Sequence, residues 1–269
     1  MRHNKVMMLS EPQPTPADFQ FSIAGIPVRV TGWFWVAAAL LGWGVARSVA
    51  GDNGRQLLVY LAVWIAVVLI SILVHELGHA LVFARFGQSA RIVLYHFGGL
   101  AIPSGMPSRQ LQQPWRRLLV AAAGPLAQLL FIGLVIAAVV ASGYRLPNSG
   151  MVASLPVIGD WLTAAAQRGQ PLPGTLAKLA VYHLLFVNIG WAVLNLLPVP
   201  PLDGGTIVLE GLRAAGVTAA VSIASLLGLL IAGTIAFWAF QRQDLYLAVM
   251  FGLLAYGCFQ RLSQPGIRG

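Results

Sequence analysis

From Leu57 to Ala84 the chain contains no lysine, arginine or aspartate, and its single carboxylate is Glu76. A run of that length and polarity is long enough to cross a hydrocarbon layer as a helix, which needs roughly 20 mainly apolar residues. Five more runs resemble it. Val30–Ala46 is rich in tryptophan, and Leu118–Ala141, Leu179–Leu197 and Val217–Phe240 are each of spanning length. Leu245–Phe259 is shorter. Composition agrees: 58% of residues are hydrophobic and 9% charged, against about 45–50% and about 25% in soluble domains. So few charges cannot cover a water-facing surface. The reading is an all-α polytopic membrane protein of about six transmembrane helices, with residues 21–262 as one domain behind a polar segment, 1–20. That segment has no apolar stretch, so no cleaved leader is expected.

The formal net charge of +9 does not point to nucleic acid, because the basic residues are scattered through short loops between the apolar runs. Such loops set orientation, with Lys and Arg held in the cytoplasm. Placing the N-terminus inside puts eleven of the seventeen basic residues on the cytoplasmic side. Between spans two and three, Arg85, Arg91, Arg109, Arg116 and Arg117 occur with no acid. The expected topology is therefore N-in and C-in. Two stretches read as strands, Phe21–Thr31 and Arg91–Ile102, the second with Gly98-Gly99 marking a bulge or a close backbone approach. Irregular backbone at membrane depth must be covered by protein or line a watery cavity, so these strands are expected at the cytoplasmic face, near the site of action. An exposed edge in Arg91–Ile102, with Val93 as its probe, could bind an extended peptide by strand addition.

Ionisable residues within spans are costly and point to function. His75, Glu76 and His79 read HELGH. Residues i and i+4 share a helix face, so both imidazoles can meet one metal ion. Glu76 then projects near an open coordination position, where it can take a proton from water. This is the H-E-x-x-H zinc hydrolase pattern; the alternative is a His–Glu pair satisfied by a neighbouring helix. A catalytic site needs a third protein ligand. Of the eight acids, Glu11 and Asp18 lie in the polar leader, and Asp52, Asp160 and Asp244 fall on the far side. Asp203 and Glu210 remain. Asp203 is the stronger, because Pro198, Pro200, Pro201, Gly204 and Gly205 around it break the helix and can turn the carboxylate back.

His75-Glu76-Leu77-Gly78-His79, with Asn195-x-x-Pro198-x-Pro200-x-Leu202-Asp203-Gly204 on a second helix and a Gly124-Pro125 helix between them, resembles the site-2 protease family of intramembrane zinc metalloproteases. Phe97–Ala101 and Gly25–Val30 also resemble that family's small strands. The resemblance runs from about Phe21 to Gly205. It implies one zinc held by His75, His79 and Asp203, Glu76 as catalytic base, and Asn195 as an amide for the substrate backbone or the developing oxyanion. It also implies a membrane-anchored protein as substrate, a regulator such as an anti-sigma factor in bacterial relatives, with or without prior cleavage by another protease. The implied location is the bacterial inner membrane, with the site toward the cytoplasm. No stretch has the length of the PDZ domain many relatives carry, and no CBS-type nucleotide-binding module is expected.

Other polar residues read as structural. His96 is expected on the surface or in a strand, His183 and Asn188 in helix packing, and Gly124-Pro125-x-x-Gln128 as a close-packing and helix-start element. Cys258 is expected to be inert. Two competing functions keep the zinc ligands: a metal-handling transporter, which gives Glu76 no task, and a catalytically silent zinc-binding protein that holds partners.

Overall fold

Ala24 and Gly25 have φ of 49° and 79°, the left-handed pair that a two-residue hairpin turn requires. In the computed structural model, which describes residues 12–147, 164 and 168–263, this pair divides the first expected strand into two. β1 is Phe19–Ile23 and β2 is Ile26–Val30, paired antiparallel. The second expected strand is also a hairpin, β3 Ala90–Tyr95 and β4 Gly98–Pro103, turning at His96-Phe97. In sequence each hairpin reads as a single strand because its turn takes up only two residues. The sheet order is β1-β2-β3-β4, with β2 and β3 parallel. Val93 is therefore interior, opposite Arg29 on one side and Leu100 on the other. The edge beside the helices is β4, which corrects the choice of Val93 as edge probe.

The chain passes from β2 to β3 through α1 (Gly32–Ala50) and α2 (Gly54–Arg85). Asn53 caps α2 by accepting from the Gln56 amide at 3.1 Å, which satisfies one of the helix's orphan donors. Gly87 follows its C-terminus at φ 71°, a conformation glycine adopts without penalty. The buried side of the sheet, Val28, Val30, Ile92 and Leu94, packs with Phe34 of α1 and Ile72 and Ala80 of α2 into one apolar cluster. Asp18 ties the start of β1 to the start of α1: it accepts from the Thr15 hydroxyl at 2.6 Å and the Gly32 amide at 3.3 Å, and pairs with Arg29 at 3.2 Å.

α3 spans Pro114–Ala141, and Pro114 at its first turn loses no hydrogen bond there. Gly124-Pro125 thus lies inside α3, not at its start; the close-packing half of the expectation holds and the helix-start half does not. α4 is Gly174–Asn195, α5 Asp203–Ala214, α6 Ala220–Gln241 and α7 Leu245–Ser263. The short α5 was not anticipated as a helix. All but α5 are long and apolar enough to cross a membrane, six among the described residues, and the protein is an integral membrane protein. α2 sits at the centre, packed against α1, α3, α4 and the β3–β4 hairpin. Large apolar side chains on α6 such as Leu230, Phe237 and Trp238 are exposed, as a lipid-facing surface requires. Glu11, Asp160 and most of the loop between α3 and α4 lie outside the described residues.

Candidate active site

The second and third turns from the end of α2 carry His75, Glu76 and His79, all buried. Their partners come from α3, which packs against this stretch. His75 Nδ1 lies 3.0 Å from Gln128 Oε1, and His79 Nδ1 lies 2.7 Å from the Val120 carbonyl oxygen. Both contacted atoms are acceptors, so each Nδ1 carries the proton and each Nε2 presents a lone pair. The two Nε2 atoms are 3.1 Å apart.

Asp203 reaches the same point from the far end of the sequence. α4 stops at Asn195, the segment Leu196–Leu202 turns, and Asp203 opens α5. Gly204 and Gly205 permit that turn: a Cβ on Gly204 would lie 2.5 Å from the Leu197 oxygen, and one on Gly205 2.5 Å from the Val199 carbonyl carbon. The Cys258 thiol on α7 donates to the Pro200 carbonyl at 3.3 Å, so this buried cysteine braces the loop. Asp203 Oδ2 stands 3.0 Å from His75 Nε2 and 3.4 Å from His79 Nε2, and among the described residues no other group bonds it.

Three atoms that can ligate a metal, two imidazole nitrogens and one carboxylate oxygen, thus converge within 4.8 Å of one another, and with both imidazoles neutral all three are acceptors. Buried acceptors that face each other without a donor are costly, about 1–3 kcal/mol each. A divalent cation bound by all three removes that cost, and the His₂–carboxylate set is one that zinc hydrolases use. The space beside them is kept clear by Gly124, where a Cβ would lie 2.6 Å from His79 Cε1 and 2.8 Å from His75 Nε2. The residues present fit the metal that the sequence motif implies.

Glu76 lies beside the three without joining them. It packs under β4: a Cβ on Gly99 would lie 2.5 Å from Glu76 Oε1. The close approach read at Gly98-Gly99 is therefore real, and Gly98 likewise faces Trp191 of α4, with a Cβ there 2.6 Å from the indole Cζ2. Glu210, the weaker candidate ligand, is elsewhere. It is buried on α5 and accepts from Arg117 at 2.7 Å and Arg213 at 2.8 Å, which makes it a structural clamp between α3 and α5.

Asn195 ends α4 and donates to the Trp191 carbonyl at 3.0 Å, a bond within its own helix. His96 is exposed at the hairpin turn beside Tyr95 and Phe97. His183 is buried against the Trp64 ring, centroids 5.1 Å apart, and Asn188 donates to Ser71 Oγ at 2.8 Å; both pack helices. Gln128 and Val120 were not picked out from sequence as partners of the histidines. An uncompensated glutamine within an apolar span was the available signal for the first, but a backbone carbonyl leaves none.

The profile described as peptidase family M50 matches residues 63–234. The chain is 31% identical over 193 residues to "Putative zinc metalloprotease sll0528" of Synechocystis, an alignment covering 70% of this chain and 42% of that protein. It is 30% identical over 195 residues to "Putative zinc metalloprotease Rip3" of Mycobacterium tuberculosis, covering 69% and 41%. The chain thus spans about two fifths of the length of these curated relatives. The solved site-2 protease from Methanocaldococcus jannaschii shares the fold, with a TM-score of 0.51 over 92% of this chain and 96% of that one at 23% identity. With His75, Glu76, His79 and Asp203 all inside the matched region, the chain belongs to peptidase family M50.

Proposed function

We propose that the protein is an intramembrane zinc metalloprotease that hydrolyses peptide bonds in or beside transmembrane segments of membrane-anchored proteins. The observation that carries this reading is a cluster of three metal-ligating atoms, from His75, His79 and Asp203, with a separate buried carboxylate next to it. When bound, zinc would acidify water and polarise a carbonyl. His75, His79 and Asp203 hold it. Glu76 accepts the proton of the attacking water and returns it to the leaving amine nitrogen. Asn195, near the end of α4, is proposed to hold the substrate backbone, for which its amide must turn from the Trp191 carbonyl.

Depth supports a membrane substrate. Ten residues of helix separate His75 from Arg85, about 15 Å at 1.5 Å per residue, so the site lies below the plane of the arginines. A helical substrate hides its carbonyls in its own hydrogen bonds and must unwind locally. The free edge of β4, directly over Glu76, can receive the extended stretch by backbone hydrogen bonding. Regulators anchored by one helix are the proposed substrates, the bacterial inner membrane is the proposed location, and the site is proposed to face the cytoplasm.

The deciding experiment compares the unaltered chain with Glu76→Gln in proteoliposomes that contain single-span test substrates. Glu76→Gln should keep its zinc and lose cleavage by about 10²–10⁴-fold, the usual contribution of a positioned acid–base. Undiminished cleavage by Glu76→Gln would falsify this role. Zinc flux into the same vesicles, with no cleavage by either protein, would instead favour the transporter.

A further inference from the structure

Residues 120, 124 and 128 recur at four-residue intervals and so form one stripe along α3. Each meets the metal-binding histidines in a different way. Val120 supplies a carbonyl to His79, Gly124 supplies space to both rings, and Gln128 supplies Oε1 to His75. The Val120 carbonyl can only accept, so main chain alone fixes the His79 tautomer. Gln128 is different, because an amide turned by 180° would present its NH₂ to His75 and invite the opposite tautomer. Its orientation is set by α2 itself: Gln128 Nε2 donates to the Ser71 carbonyl at 3.2 Å, one turn before His75. That carbonyl cannot donate. The same residue is engaged from the other side, where Ser71 Oγ accepts from Asn188 Nδ2 at 2.8 Å, and Asn188 Nδ2 also reaches the Leu184 carbonyl at 2.8 Å. Ser71, Gln128 and Asn188 are each 0% exposed, so no water competes for these bonds.

We propose that Gln128 is a positioning residue for the metal centre: clamped by the Ser71 carbonyl, its Oε1 holds the His75 ring at Nδ1 and aims Nε2 at the point where His79 and Asp203 converge. Outer partners of this kind orient ligands and tune metal affinity. Asn188 has a different task, joining α4 to the same turn of α2 without touching the imidazole. The inference rests on the metal reading of the site.

The test uses the full chain in detergent micelles. In Gln128→Met, which keeps the length and removes the acceptor, zinc affinity, measured by competition with a chromophoric chelator, should fall about 10–100-fold. Gln128→Glu keeps an oxygen at the acceptor position and should restore affinity. Asn188→Leu should lower the melting temperature while zinc affinity stays unchanged, which separates positioning from packing. Zinc affinity in Gln128→Met equal to that of the unaltered chain overturns the proposal. Failure of the unaltered chain to take up zinc at all would instead defeat the metal reading, and the proposal with it.

Discussion

Gly99 of β4 lies directly against the Glu76 carboxylate on α2, so close that a Cβ at residue 99 would stand 2.5 Å from Oε1. The catalytic carboxylate proposed here is thus held in place by the backbone of the strand proposed to bind substrate. Base and proposed substrate edge share one contact.

Gly99→Ala follows from that contact. The added methyl must push Glu76 aside, and misplacing a reacting group by about 1 Å can cost about 10²-fold in rate. Cleavage should fall by that order while zinc content, measured by atomic emission on purified protein, stays at about one per chain. Loss of zinc from Gly99→Ala would show that the strand supports the ligands as well.

Gly124→Ala should act on the metal instead. Its Cβ would enter the space between the two imidazoles, and overpacking of this kind costs about 1–3 kcal/mol. Zinc should be lost or strongly weakened and the melting temperature lowered. Gly133 on the same helix has nothing within 4 Å of its Cβ position. Gly133→Ala should keep zinc and gain about 0.5–1 kcal/mol from helix propensity.

Asp203 and Glu210 should separate cleanly. Asp203→Ala removes a ligand, so zinc affinity should drop and activity should partly return at high added zinc. Asp203→Asn should be milder, since an amide oxygen can still approach the metal. Glu210→Gln should leave zinc in place and lower stability. Its carboxylate is buried, but Arg117 and Arg213 are 35% and 40% exposed, so the loss should be about 1–3 kcal/mol, between the values for exposed and buried pairs. Thermal melting in detergent checks both, and a Glu210→Gln protein without zinc would reverse the assignment.

Orientation is open to a simple reporter test. A reporter fused after Gly269 should be active in the cytoplasm, and one inserted near Asn148 should be on the far side. The reverse pattern would put Arg85, Arg109 and Arg117 outside and break the proposed cytoplasmic access to the site.

The sequence alone determined the parts that depend on one helix or one composition. Six apolar runs are six helices because hydrocarbon tolerates little else, and His75 and His79 share a face because four residues make about one turn. Asp203 could be chosen because a membrane chain carries few acids, and prolines and glycines turned it back as expected. What only the tertiary structure decided lies between elements. Phe21–Thr31 and Arg91–Ile102 hide two-residue turns, and only the pairing of Val93 with Arg29 on one side and Leu100 on the other shows that it is interior. Gln128 reads as a polar residue in a span until α3 sets it beside His75. The Val120 carbonyl has no sequence signature, and Glu210 is indistinguishable from a ligand until Arg117, 93 residues away, closes on it. Periodicity and composition are local properties of a chain. Hydrogen bonds between α2, α3 and α4 depend on which helix faces which, and that is settled only when the apolar surfaces pack.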